Sequence, residues 1–295
     1  MLEALLLLGG GVAAGLFGSL LGLGGGILIV PLLTLAFGLP LLTAIGVSLI
    51  CVIVTSSAAA GVYLERRVAN LRLGMTLELF TACGALVGGL VAFLLPERVL
   101  ELAFTGLLVY VAVTMARRRD PAPSSAPDAA AADVVAPIGG PGALASSPSP
   151  SPSPSPGPSR AGAFLDQLSG PDYRVRRLGI GAIGSVGAGV TSALLGIGGG
   201  LIKVPVMHVI MGVPLRVATA TSNLMIGITA SASAIIYLLR GGIDPYAAAP
   251  TAIGVFIGAS IGSRIASRID LRILRGLFVA ILLYTAWQML QRAIA

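Results

Sequence analysis

Residues 22–31 read GLGGGILIVP and residues 196–205 read GIGGGLIKVP. Each string sets three consecutive glycines inside an apolar run and ends in Val-Pro. Glycine loosens a helix and proline removes one of its donors. Lipid cannot satisfy the freed N–H and C=O groups, so such a break must face protein or a water-lined cavity. The two strings lie 174 residues apart, and the offset holds well beyond them. Pro31 falls on Pro205, Gly38 on Gly212 and Pro40 on Pro214. Further on, Ser48 falls on Ser222, Thr55 on Thr229, Tyr63 on Tyr237 and Arg66 on Arg240. Over residues 20–66, 20 of 47 positions are identical, more than shared hydrophobicity explains. The chain is a duplication, and internal repeats are the construction rule of many transporters.

Composition says where such a chain lives. Of 295 residues, 56% are hydrophobic and 11% charged, and the mean hydropathy is +0.96. Soluble domains carry about 25% charge. That excludes a cytosolic enzyme, a secreted disulfide scaffold and a disordered chain, and leaves an all-α polytopic membrane protein. Forty glycines and 5% aromatics suit closely packed membrane helices better than a barrel with aromatic girdles. The net charge of +7 comes from 18 Arg and one Lys against 12 acids. The arginines sit at the ends of apolar segments and not in an aromatic-laced basic stripe, so nucleic acid is not an expected partner. Cys51 and Cys83 lack metal-ligand spacing and are expected to be small buried hydrophobes. The N-terminal MLEALLLLGGG has no basic region and reads as a first membrane segment.

Between the repeats, residues 117–177 change character. They are Arg-rich at both ends and contain SPSPSPSPSP at 147–156, which predicts an extended, disordered linker. The organisation expected is therefore a membrane repeat at 1–116, a cytoplasmic linker at 117–177 and a second repeat at 178–295. In the first repeat the apolar segments run about 4–22, 27–38, 41–64, 74–95 and 99–116. The last three are clean candidates for a spanning helix, which needs roughly 20 residues. The first two form a hairpin broken at the glycines, which either re-enters or crosses twice. After the third segment the first half carries Arg66, Arg67 and Arg72, whereas in the second half Arg264, Arg268, Arg272 and Arg275 follow the fourth. Equivalent loops then face opposite sides. The halves are expected to be inverted, with both termini outside and the linker inside; Arg292 argues weakly against this.

Three features could carry chemistry. A helix that starts just after Gly24, Gly25 and Gly26, or after Gly198, Gly199 and Gly200, turns its N–H groups back toward the break. That makes a seat for an anion. The competing reading is glycine as a packing device. Lys203, opposite Ile29 in the repeat, is the sole lysine and lies in an apolar stretch. It either neutralises an anionic substrate, sheds its proton during a cycle, or pairs structurally with a group such as Glu78. His208 and Glu78 are further candidate proton carriers. Third come Thr219, Thr221, Ser222 and Asn223, with Ser48 as first-half copy. Thr221, Ser222 and Asn223 are the expected substrate contacts, while Thr229 and Ser231 read as hydrogen bonds between helices. No nucleotide-binding pattern is present, so no cofactor is called for.

At these motifs the chain resembles the sulfite exporter TauE/SafE (TSUP) family. The strings that carry the resemblance are GLGGGILIVPLL, GIGGGLIKVPVM and VATATSNLMIGITASASA. The resemblance implies an integral membrane permease for small sulfur-containing or organic anions. One departure is Gly46-Val47-Ser48-Leu49, where the family often reads GTSL, which shifts weight to Thr221 and Ser222. The expected function is a secondary anion transporter working by alternating access in the bacterial inner membrane, driven by an ion or proton gradient. Its expected partners are a small anion, the bilayer and a coupling ion or proton, and an oligomer is compatible with the sequence. The alternative is a non-transporting membrane subunit that acts through its linker, and a channel is a third reading.

Overall fold

The computed structural model describes residues 2–20, 26–65, 69–117, 175–265 and 271–294. Arg66 and Arg67, the Ser-Pro stretch within 118–174 and residues 266–270 lie outside the described residues. The first half contains α1 (Leu2–Leu20), α2 (Gly26–Pro31), α3 (Leu41–Glu65), α4 (Leu71–Ala92) and α5 (Glu97–Arg117). The second contains α6 (Leu178–Leu195), α7 (Gly200–Pro205), α8 (Leu215–Leu239), α9 (Pro245–Ile265) and α10 (Leu271–Ile294). No strand occurs among the described residues, and the chain is an all-α membrane protein. The helices of α4, α5, α6, α8, α9 and α10 are long and apolar enough to cross a bilayer.

The two halves repeat one another down to their irregularities. Pro31 and Pro205 end α2 and α7, and each is followed by a single π-helical turn, Leu32–Ala36 and Val206–Ile210. Proline supplies no N–H, so the ladder slips in register where it would have donated. After each π turn a left-handed glycine, Gly38 or Gly212, turns the chain, and Leu39 N donates to Leu33 O as Val213 N does to Met207 O. α7 and its π turn together are 11 residues, about 16 Å and so roughly half a bilayer. The hairpin returns to its own starting point, because Arg176 N donates to Met211 O (3.1 Å).

Helices are exchanged between halves. α1 packs on α9 and α4 on α6, while α3 packs on α8 and α5 on α10. The first two contacts are made by glycines. A side chain on Gly15 would run into the Val255 carbonyl, and one on Gly189, its repeat partner, into the Thr81 carbonyl. Gly84 and Gly258, also repeat partners, meet the backbone of Val186 and Val12. Along α3 the neighbours descend: Gly46 meets Gly242, and Ser56 meets Gly227. α3 and α8 therefore run in opposite directions.

Two charged residues serve the fold. Leu41 N, at the start of α3, donates to Glu97 Oε1 (2.9 Å) because Pro40 offers no capping side chain. Arg292 Nη1 donates to the Thr34 carbonyl (2.8 Å), which the π turn and Pro40 leave without a backbone donor. That commitment explains why Arg292 departs from the loop charge pattern. Cys51 is buried as expected, but Cys83 is exposed. It lies on the outer side of α4, where a membrane helix is apolar because lipid covers it.

Candidate functional site

The second glycine break is built from left-handed backbone, with φ of +67° at Gly196, +77° at Gly198 and +72° at Gly199. Only glycine adopts such a run without strain. The break is embedded among α3, α6 and α8. Gly196 lies against Ile45, Gly198 against Val52 and Ile226, and Gly199 against Ala188 and Ser192. α7 starts here, with Ile202 N and Lys203 N both donating to the Gly199 carbonyl.

The start of α2 meets the second break. Gly26, the first residue of α2, is so close to the Gly196 carbonyl oxygen that a Cβ there would come within 2.8 Å. Ser48 joins them, its hydroxyl donating to Gly196 O at 2.7 Å with Gly26 O at 3.3 Å. Gly24 and Gly25 lie outside the described residues.

Ser222 occupies the place of Ser48 in the second half, yet its hydroxyl has no hydrogen-bond partner, although the residue is 1% exposed. It lies beside Gly200, where an added Cβ would stand 3.6 Å from its Oγ. Ser192 Oγ, at the end of α6 and against Gly199, is also buried and unpartnered. Sequence reading missed Ser192, whose signal is its place four residues before the glycine string. The structure does not gather Thr221, Ser222 and Asn223 into one cluster. Consecutive helical residues point about 100° apart. Thr221 Oγ1 instead accepts from Asn70 N (3.0 Å), and Asn70 in turn caps α4 by accepting from Leu73 N. Asn223 is half-buried, with a different outlook.

One turn beyond the break lies a closed polar triad from three helices. Lys203 of α7 donates to Glu78 Oε2 of α4 (3.0 Å) and to Thr229 Oγ1 of α8 (2.6 Å). The Thr229 hydroxyl donates to Glu78 Oε1 (2.6 Å), with the Met225 carbonyl also in reach (3.1 Å). All three residues are buried, Lys203 at 1% exposure. A lone charge in this position would be prohibitive, and the pair with its hydroxyl bridge is what makes it tolerable. Thr229 does bond between helices as expected, and it also orients the carboxylate. Its spacing of seven from Ser222 places both on one face of α8. His208 is not part of this triad. It lies on the exposed side of the π turn with Nδ1 2.9 Å from the Val213 carbonyl, a contact that requires the proton on Nδ1. Among the described residues no cluster of His, Cys, Asp and Glu is placed to hold a metal. An apolar groove of about 500 Å³, bordered by Leu5, Leu8, Tyr246 and Ile253, shares no residue with the triad.

Comparison with known proteins agrees with this architecture. The chain is 22% identical over 241 residues to the "Probable membrane transporter protein YunE" of Bacillus subtilis (strain 168), covering 79% of this chain and 78% of that protein. No solved structure matches it. The model of the family described as "Sulfite exporter TauE/SafE" matches residues 7–289, nearly the whole described bundle, and the chain belongs to that family of membrane transporters.

Proposed function

We propose that the protein is a secondary transporter that carries a small sulfur-containing or organic anion across the bacterial inner membrane. It does no covalent chemistry on its cargo. The observation that carries this reading is the pair of buried, unpartnered hydroxyls, Ser192 and Ser222, flanking the left-handed glycines of the second break. A buried hydroxyl without a partner costs about 1–3 kcal/mol. An oxyanion seated beside Gly198–Gly200 would satisfy both, and Lys203 lies one turn away.

Alternating access would come from two membrane repeats, 1–116 and 178–295, of opposite orientation, joined by a cytoplasmic linker at 117–177. The exchanged helix pairs and the opposite courses of α3 and α8 support that reading. So does the return of the second-half hairpin to its starting side, which leaves α8, α9 and α10 as the crossings that would invert that half. A proton or ion gradient supplies the energy. The test is uptake of labelled sulfite and methanesulfonate into proteoliposomes holding the purified protein. Saturable flux, lost in Ser192→Ala/Ser222→Ala, is expected. Flux no greater than in empty liposomes overturns the reading.

A further inference from the structure

We propose that Glu78 is a proton site that makes anion binding electroneutral, by releasing Lys203 from its ion pair when the anion arrives. The inference rests on the transporter reading above. Its ground is the geometry of the triad. Lys203 is the natural counter-charge for an anion at the glycine break, but its charge is already balanced by Glu78, and two of the three ammonium donors are held by Glu78 Oε2 and Thr229 Oγ1. The pair is neutral as it stands. Adding an anion would leave one uncompensated negative charge in a buried site, which is far too costly. A proton on Glu78 removes that excess.

The step balances. An O–H bond forms at Oε2, the ammonium loses its carboxylate partner, and the same ammonium takes the anion as its new one. Net charge is zero before and after, and one proton enters with each anion. Thr229 is the positioning residue. Its hydroxyl holds Oε1, so the proton goes to Oε2, the oxygen that faces Lys203. The ammonium has a short way to go. Ile226, which touches both Gly198 and Gly200, precedes Thr229 by three residues, about 4.5 Å of helix rise. No other titratable group competes nearby among the described side chains. α6, packed on α4, carries none from Leu178 to Leu195. On α8, Tyr237 is bound to the Ala193 carbonyl, and on the α7 hairpin His208 is bound to the Val213 carbonyl. On α4 itself, Arg72 and Cys83 are exposed.

Calorimetry on the purified full-length protein tests this. Methanesulfonate and trifluoroacetate stay charged at every pH used, so any pH dependence belongs to the protein. Titration in buffers of different ionisation enthalpy counts protons taken up per anion bound. About one proton per anion is expected, with affinity falling about tenfold per pH unit as pH rises above the site's titration. Glu78→Gln, which mimics the protonated carboxyl, is expected to bind with no proton uptake and no pH dependence. If that variant does not fold, the wild-type proton count decides alone. Binding with no proton uptake and a flat pH profile overturns the proton site and leaves the anion site standing. No binding of either anion overturns the anion reading, and the proton site falls with it.

Discussion

The two glycine breaks descend from one sequence and now hold their polar groups in opposite states. At the first, Ser48 spends its hydroxyl on the Gly196 carbonyl, and Ile29 is wholly buried where the other half has Lys203. At the second, Ser192 and Ser222 are unpaired, and a charged triad lies one turn away. Around them the scaffold stays symmetric, down to the glycines at the α1–α9 and α4–α6 contacts. The difference teaches that duplication supplied the frame, while one half specialised in closing the junction and the other in holding charge.

Mutations should break that comparison in graded ways. The largest effect is expected from Lys203→Ala, which strands the Glu78 carboxylate. A cost of about 3–5 kcal/mol should appear as a large drop in detergent unfolding midpoint, while Lys203→Met/Glu78→Gln recovers most of it. Recovery no better than the single variant would show that the pair is not the source. Next come Gly84→Val and its repeat counterpart Gly258→Val. Both force a side chain into facing backbone and should cost about 1–3 kcal/mol or more each, in equal measure. Unequal costs would show that the symmetry of the frame is only approximate.

Ser48→Ala and Ser222→Ala separate the two breaks directly. The first leaves the Gly196 carbonyl buried and unpaired, a loss of about 1–3 kcal/mol. The second removes a hydroxyl that bonds nothing, so stability should hold while anion affinity measured by calorimetry falls. The reverse pattern would assign the anion to the first half. Smallest of all, Arg292→Gln weakens the tie to the Thr34 carbonyl and should cost about 1 kcal/mol, read from the unfolding midpoint.

Much of this was legible in the sequence. The helical segments of the first half fall within three residues of their expected limits, because Gly, Pro and Asn punctuate them strongly. The Lys203–Glu78 pair was visible as an alternative, since two charges in apolar helices need each other. Neighbours along the chain are not neighbours in space. Thr221, Ser222 and Asn223 look like a cluster as letters but point to different partners on a helix. Ser192, and the part Thr229 plays in orienting Glu78, are hidden for the converse reason. A serine before a glycine string and a threonine two turns after Ser222 become notable only when α6, α7 and α8 converge. Cys83 shows the limit of hydropathy, which cannot tell a core face from a lipid face.

The exchange of helices also dictates how the protein must be made. Gly15 of α1 rests on Val255, 240 residues later in the chain. At roughly 5–20 residues per second of synthesis, α1 waits about ten to fifty seconds for its partner. During that interval Gly10 already has Leu32 beside it, but Gly11 and Gly15 lack the backbone they finally rest on, and the first repeat cannot close by itself. Assembly therefore depends on whatever shelters an unpaired membrane helix while the ribosome completes the second half.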